Sequence, residues 1–494
     1  MSQTHKIAKN ATVLFGSQIM MWLLTMAITV ILPRYLGAVG MGKLQFATSL
    51  WLMVGVITAF GTDMLLTKEI ARDPERTPRL FGSALVLRFG LFVIGYAVTI
   101  ALLYLLRYPV DTITVVCLVG IANLIRQCIA VAQASLQGLE RMEFSALAEI
   151  VGNALYTLLG IILLLMGWSI YAIAALLILT ASVNLAIQLF FLNRLYTLRL
   201  NFAWAPARAL VQEGWPYLLS SFFLVAYLQV DILAISAFVD EAAIGWYGAA
   251  SRLFGTFLFI PTVYITAAFP VFARMFVDDQ SGLNRLISKS FDSLLLLSVP
   301  IGFGLMVIAN PLVRLIFGEE FANSGPILAV FGLVVILTYQ NILIGRFLIS
   351  MDRQNAWTWV MAVATVATVP LDMVLIPWCQ TTFGNGGLGG AFSFVITELG
   401  MLVVGLILLP AGALTRANLW TACRILMAGL LMVAVVWQFE ELWLAVPILI
   451  GVVTYVAAVF VLRIVPKEDI ALVQDLGQSM LAKFRRPQPE AVNS

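Results

Sequence analysis

The chain has 494 residues, of which 61% are hydrophobic and only 11% are charged, and its formal net charge is +3. Because soluble domains carry about 25% charged residues, this composition excludes a soluble protein, and the small net charge gives no reason to expect a nucleic-acid partner. His5 is the single histidine, and the four cysteines lie in or beside apolar runs. These features argue against histidine catalysis, a disulfide framework and a metal site.

Apolar runs long enough to cross a bilayer recur along the whole chain. A helix needs about 20 apolar residues to cross roughly 30 Å of hydrocarbon. Fourteen runs approach that length, at residues 11–33, 45–66, 80–106, 112–136, 145–167, 170–192, 214–238, 246–272, 290–309, 325–350, 356–379, 390–410, 420–439 and 443–465. The sequence therefore predicts an all-α integral membrane protein with about 14 transmembrane helices.

An internal repeat becomes visible when the chain is shifted by 203 positions. The segment GKLQFATSL, at 42–50, then falls on GWYGAASRL, at 245–253, and each segment opens the second helix of a hairpin. Because the shift equals six spans, it predicts a parallel repeat about an axis along the membrane normal. We expect two pseudo-symmetric six-helix lobes around a central cavity, followed by two C-terminal helices.

The predicted units follow from this repeat. They are an N-terminal lobe at 1–192, a cytoplasmic linker at 193–213, a C-terminal lobe at 214–410, two further spans at 411–465 and a tail at 466–494. Apolar residues recur at helical spacing from Ile470 to Phe484, and basic residues follow. This pattern is typical of an amphipathic helix on the anionic inner leaflet, or of a solvated tail.

Lys and Arg are distributed unevenly between the two sets of loops. If the N-terminus is inside, the outer loops carry only Arg34, Lys43, Arg107 and Arg314, and the other loop and tail cations are inside. The positive-inside rule then predicts that both termini are cytoplasmic.

Seven charged residues lie well inside predicted spans, away from the span ends, where each costs about 3 kcal/mol on insertion scales unless it has a partner or water. They are Arg88, Arg126, Glu149, Asp231, Arg252, Asp372 and Glu398. Asp231 and Arg252 lie at similar depth, roughly 15 Å from the tip of their hairpin. One interpretation pairs Asp231 with Arg252, and Arg126 with Glu149, as structural ion pairs.

The full set of charges favours a hydrated cavity instead, because Asp372 and Glu398 share both a hairpin and a sign. Arginines in such a cavity suit phosphate or carboxylate groups. Four amides, Gln127, Asn153, Gln340 and Asn341, add hydrogen-bonding groups for a hydroxyl-rich cargo, or serve as packing contacts between helices.

Two glycine-rich segments imitate nucleotide-binding motifs. GAVGMGKL at 37–44 has Leu44 in place of the magnesium-binding hydroxyl, and GNGGLG at 384–389 lies in a turn between spans. Neither has the strand and helix that such loops require. With no nucleophile and base pair in view, the sequence predicts neither an enzyme nor a bound cofactor, apart from Na⁺ or H⁺ as a coupling ion.

Five segments in order resemble the bacterial flippases for lipid-linked oligosaccharides such as O-antigen and exopolysaccharide units. That family belongs to the multidrug/oligosaccharidyl-lipid/polysaccharide exporter superfamily. The segments are LPRYLGAVGMGKLQFA at 32–47, GTDMLLTKEIARD at 61–73, ASLQGLERMEFSAL at 134–147, VDILAISAFVDEAAIGWYGAASRL at 230–253 and NPLVRLIFGEEFANS at 310–324. The chain departs from the family pattern at Asp372, where an amide is expected.

The resemblance implies that the protein moves undecaprenyl-pyrophosphate-linked oligosaccharide from the inner to the outer leaflet of the bacterial cytoplasmic membrane. Arg126 and Arg252 would bind the pyrophosphate, and Arg88 would recruit it near the inner face. Asp231, Asp372, Glu398 or Glu149 would bind the coupling ion. A monomer is expected, with a polysaccharide polymerase or other assembly proteins as possible partners.

Other functions remain open at this point. A flippase for the peptidoglycan lipid precursor would use the same cavity chemistry, and a cation-coupled multidrug antiporter of the same superfamily would carry a different cargo. A membrane-embedded glycosyltransferase needs catalytic carboxylates on a large external loop, and the predicted outer loops are short. A structural scaffold would not need charges in both lobes.

Overall fold

The computed structural model describes residues 3–196, 202–439 and 442–464, with side chains described from Met26 onward apart from a few positions. Within these ranges the chain forms fifteen α-helices and no strand. The helices are α1 (Gln3–Ala59), α2 (Thr62–Arg72), α3 (Thr77–Leu105), α4 (Val110–Gly138), α5 (Met142–Leu165), α6 (Ile170–Leu195), α7 (Trp204–Phe238), α8 (Glu241–Phe257), α9 (Phe259–Asp278), α10 (Gln280–Phe317), α11 (Ser324–Ser350), α12 (Gln354–Phe383), α13 (Gly386–Leu408), α14 (Arg416–Val436) and α15 (Ala445–Val461).

The predicted all-helical membrane fold is confirmed. Twelve helical stretches in the described part of the chain are long and apolar enough to cross a bilayer, and the 17-residue α15 is a shorter apolar helix. The count of fourteen is therefore approximate. The structure describes no residue of the predicted amphipathic tail.

The first two predicted spans are continuous in α1, which bends within the loop predicted between them. Gly37 interrupts α1 with a φ of 70°, a left-handed conformation that glycine adopts without strain. The Glu320 carboxylate accepts a hydrogen bond of 2.7 Å from the Ala38 backbone N–H. Glu320 thus satisfies a donor that the break leaves without a helical partner.

Two other spans end or break at defined residues. The second predicted span stops at Ala59, because Phe60 and Gly61 have positive φ, and Leu66 lies in the separate helix α2. The eighth predicted span is divided at Leu258 into α8 and α9. Pro261 follows in the first turn of α9, a position that proline tolerates.

We refer to α1–α6 as the N-lobe and to α7–α13 as the C-lobe. In the N-lobe α4 packs against α6, α1 and α3, and in the C-lobe α11 packs against α10 and α13. Helices α14 and α15 pack on each other and on α10. An apolar groove of about 610 Å³ remains between α10, α14 and α15.

The lobes meet most closely where α1 crosses α8. A Cβ atom on Gly42 would overlap the carbonyl oxygen of Glu241, and one on Gly245 would overlap the carbonyl oxygen of Ala38. The 203-residue shift maps Gly42 on Gly245 and Ala38 on Glu241. The two contacts are therefore equivalent under the predicted repeat, as expected if the pseudo-two-fold axis passes through this crossing.

Candidate functional site

A cavity of about 180 Å³ lies between the lobes and contains two arginines. Arg126 comes from α4 of the N-lobe, and Arg252 comes from α8 of the C-lobe. The other lining residues are Ile28, Leu44, Thr48, Asn153, Tyr156, Thr157 and Leu177. We refer to this space as the arginine cavity. It brings together three of the predicted binding residues, Arg126, Asn153 and Arg252.

Neither arginine has an ionic partner among the described residues. No described carboxylate lies within 4 Å of the guanidinium group of Arg126 or Arg252. The Nε atom of Arg252 is buried without a hydrogen-bond partner, whereas Arg126 keeps an accessible surface although protein surrounds it. Because an uncompensated buried charge is expensive, the buried part of Arg252 requires water or an anion, whereas the exposed Arg126 side chain is free to bind either.

The structural ion pairs considered from the sequence, Asp231 with Arg252 and Arg126 with Glu149, are therefore not formed. Asp231 accepts a hydrogen bond of 2.8 Å from the Tyr247 hydroxyl instead. Tyr247 and Arg252 are five residues apart, so at about 100° per residue their side chains point about 140° apart around α8. One face of α8 thus turns toward Asp231 and the C-lobe interior, and the other turns Arg252 toward the N-lobe.

The acidic residues of the C-lobe form a cluster of their own, apart from the arginine cavity. Asp231 of α7 and Asp372 of α12 are neighbours, and both carboxylate oxygens of Asp372 and one of Asp231 are buried without a described hydrogen-bond partner. Asp231 is 4% exposed and Asp372 is fully buried. Since two adjacent carboxylates repel each other, this pair needs a shared proton or a cation.

Glu398 belongs to the same region but has complete hydrogen bonding. The Tyr227 hydroxyl donates to one carboxylate oxygen at 2.8 Å, and the Asn341 amide donates to the other. Asn341 also donates to the Glu398 backbone carbonyl at 2.9 Å. Asn341, predicted to bind cargo, is thus occupied in joining α11 to α13. Gln340 is 1% exposed and lies outside the arginine cavity, with both amide atoms lacking a described partner.

The remaining predicted residues of the N-lobe lie outside the arginine cavity. Arg88 is 1% exposed and donates to the Thr62 hydroxyl at 2.6–2.8 Å and to the Asp63 carboxylate at 2.6 Å. Gln127 donates to the Gly55 carbonyl at 3.3 Å. Glu149 accepts from the Gln133 amide at 2.9 Å. The binding and coupling roles assigned to these residues stay predictions.

Three lining residues, Thr48, Tyr156 and Thr157, have polar groups that sequence reasoning overlooked. Tyr156 lines the cavity together with both Arg126 and Arg252. Its position three residues after Asn153, on the same face of α5, is the signal that could have identified it. Thr48 lies close to Arg252 only through tertiary packing, and its hydroxyl donates to the Leu44 carbonyl at 2.9 Å.

The fold and the site define a multi-pass helical membrane protein whose two lobes enclose a cationic cavity. Residues 7–276, more than half of the chain, match the family described as polysaccharide biosynthesis protein. The chain belongs to this family, in agreement with the resemblance seen in its sequence to exporters of polysaccharide units.

Curated relatives have names that agree with this family. The chain is 25% identical over 196 residues to the probable low-salt glycan biosynthesis flippase Agl15 of Haloferax volcanii. It is 27% identical over 200 residues to the succinoglycan biosynthesis transport protein ExoT of Rhizobium meliloti. It is 28% identical over 246 residues to the probable lipid II flippase MurJ of Vibrio cholerae. These matches cover 39%, 39% and 46% of this chain and 41%, 39% and 46% of the relatives, respectively.

Solved structures show the same fold at low sequence identity. The lipid II flippase MurJ in its inward closed conformation superposes with a TM-score of 0.70 at 14% identity, over 92% of this chain and 99% of that structure. An inward-facing multidrug resistance MATE transporter of the MOP superfamily superposes with a TM-score of 0.60 at 16% identity, over 78% of this chain and 93% of that structure. At these identities the likeness establishes the fold alone.

Proposed function

We propose that this protein is a flippase that moves undecaprenyl-pyrophosphate-linked oligosaccharide from the inner to the outer leaflet of the bacterial cytoplasmic membrane. The observation that carries the proposal is the arginine cavity, where Arg126 and Arg252 lie without described carboxylate partners. A pyrophosphate supplies the anionic oxygens that two planar guanidinium groups bind well. Family membership supports the same class of cargo.

The transport cycle follows from the chemistry of the cargo. A pyrophosphate with attached sugars cannot cross hydrocarbon unaided, because its polar groups would lose their water without replacement. The cavity replaces that water while the lipid tail stays in the bilayer. Since one arginine comes from each lobe, rocking of the lobes would expose the bound headgroup first to one side and then to the other. A negative cell interior favours export of an anion by about 2.3 kcal/mol per charge per 100 mV.

The peptidoglycan-precursor flippase is the main alternative, since its cargo presents the same pyrophosphate. A multidrug antiporter that carries cations is less compatible with two unpaired arginines, because like charges repel. Complementation separates the first two functions. In a strain without its polysaccharide flippase, this protein should restore the surface polymer. Restored growth of a strain depleted of its peptidoglycan-precursor flippase, without restored polymer, would favour the alternative.

The arginine variants test the site directly. Arg126→Ala and Arg252→Ala should each reduce polymer export about tenfold or more, because a hydrogen bond to a charged group contributes about 1.5–3 kcal/mol. Export is measured per molecule of protein found in the membrane. Arg346→Ala, in an exposed arginine near the end of α11, is the matched control and should export normally. Full export by both cavity variants would refute the assignment of Arg126 and Arg252.

The adjacent carboxylates support a second part of the proposal, the binding of a coupling Na⁺ or H⁺ at Asp231 and Asp372. A bound ion stabilises the folded protein by an amount that rises with its concentration. Thermal unfolding of the wild type should therefore depend on Na⁺ or on pH, and Asp372→Asn should weaken that dependence. The control is Asp292→Asn, which changes a carboxylate that already accepts a hydrogen bond from the Asn418 amide. This variant should keep the ion dependence of the wild type. A variant at Asp372 with unaltered ion dependence would contradict this site.

A further inference from the structure

Tyr156 lines the arginine cavity and has no assigned role. The aromatic ring packs against the main hydrophobic core, and the residue as a whole is half-buried. The hydroxyl has no hydrogen-bond partner among the described residues, and Tyr156 lines the same cavity as both arginines. A tyrosine hydroxyl placed inside a protein normally finds a partner.

The donors in this cavity exceed the acceptors available to them. Arg126 and Arg252 contribute guanidinium N–H groups without a described carboxylate, and Tyr156 contributes one neutral O–H. Guanidinium groups donate only, whereas a phenol both donates and accepts. Tyr156 therefore adds a third donor beside two fixed charges without adding a third charge. Such a set suits a ligand with several anionic oxygens distributed over more than one centre.

We propose that Tyr156 is a specificity-determining residue that donates its hydroxyl to the phosphate-bearing headgroup held by Arg126 and Arg252. This inference rests on the proposed function and specifies the headgroup further. A diphosphate has enough oxygens to accept from both arginines and from the Tyr156 hydroxyl at once. A monophosphate is smaller and reaches fewer of the three donors. Tyr156 thus favours a polyprenyl diphosphate over a polyprenyl monophosphate.

Binding of two simple probes tests this selectivity. The full-length protein in lipid nanodiscs is titrated with farnesyl diphosphate and with farnesyl monophosphate, and the two dissociation constants are compared. The wild type should prefer the diphosphate. Tyr156→Phe keeps the ring and removes the donor, so affinity for the diphosphate should fall about tenfold, the effect of losing one hydrogen bond to a charged group. Affinity for the monophosphate should fall less, so the ratio of the two dissociation constants should move closer to one.

Control variants separate this role from packing and from the proposed function itself. Tyr171→Phe, on α6 and outside the cavity, should leave both affinities unchanged. A merely structural role for Tyr156 would lower both affinities by the same factor, and an unchanged ratio in Tyr156→Phe overturns the inference. If Arg126→Ala and Arg252→Ala lose diphosphate binding while Tyr156→Phe keeps it, the proposed function stands without Tyr156. If the arginine variants also bind normally, the cavity itself is not the headgroup site.

Discussion

Two arginines that look alike in the sequence have opposite environments. Arg126 lies in the cavity without a described carboxylate, while Arg88 is enclosed and bound to Thr62 and Asp63. Both were predicted to bind the cargo. The difference arises because Asp63 follows the break at Phe60 and Gly61, where the start of α2 is within reach of Arg88. A neighbouring acid thus decides whether a buried arginine stabilises the fold or remains free for a ligand.

A substitution at Arg88 distinguishes these two roles. Arg88→Ala should destabilise the protein by about 1.5–3 kcal/mol, because it removes hydrogen bonds to and from a charged group. The measurement is the Tm in detergent, with farnesyl diphosphate affinity determined on the folded fraction. Affinity should be unchanged. Arg79→Ala, in an exposed arginine on the same helix, should alter neither quantity. A variant at Arg88 with a normal Tm and lost affinity would instead support the predicted recruiting role.

At the scale of elements, the close crossing of α1 and α8 depends on two glycines, which have no side chain. Gly42 and Gly245 allow each helix backbone to contact the other, as small residues do in membrane helix pairs. A hydrogen bond across the lobes lies nearby, since Thr112 of α4 donates to the Glu241 carboxylate at 3.1 Å. Beside it, Lys43 pairs with Asp111 within the N-lobe. The lobes are therefore closed at this end, which the predicted topology places outside.

Gly42→Ala should force this crossing apart, because the new methyl group would overlap the Glu241 carbonyl. We expect the population to shift toward a state open at this end. The readout is the labelling rate of Thr48→Cys by a membrane-impermeant thiol reagent, in a background without the four native cysteines. Labelling should be faster than in the parent. Gly90→Ala is the matched control, since a methyl group there meets nothing within 4 Å. Equal labelling in Gly42→Ala and Gly90→Ala would argue against a gate at this crossing.

At the scale of the whole molecule, transport by rocking requires the lobes to separate at each end in turn. The end opposite the α1–α8 crossing is also closed, because Gly61 of the N-lobe contacts Gly214 and Leu218 of the C-lobe. A Cβ atom on Gly61 would lie 2.6 Å from the Leu218 nitrogen and 2.7 Å from the Gly214 oxygen. The structure therefore shows the two lobes in contact near both ends.

A reversible cross-link tests this motion. Thr112→Cys with Glu241→Cys, joined by a short thiol cross-linker, should fix the two lobes at one end and stop export. If the linker contains a disulfide, its reduction should restore export. The control pair, Ser288→Cys with Asn418→Cys, joins α10 to α14, whose side chains lie 2.9 Å apart without bridging the lobes. That pair should cross-link without loss of export. Full export by the cross-linked Thr112–Glu241 pair would rule out rocking about this end.

The sequence by itself determined the helical membrane fold, because crossing a bilayer demands a run of apolar residues that is visible locally. It also predicted a 203-residue repeat and the relative depth of each charge within the spans, since depth follows from a fixed rise per residue. The direction in which each charge points was decided only by the tertiary structure. Asp231 and Arg252 lie at similar depth, yet helix packing turns Asp231 toward Tyr247 and Asp372 and turns Arg252 toward Arg126 and Tyr156. Rotation about a helix axis depends on contacts between helices distant in sequence, so no local pattern reveals which charges share a cavity.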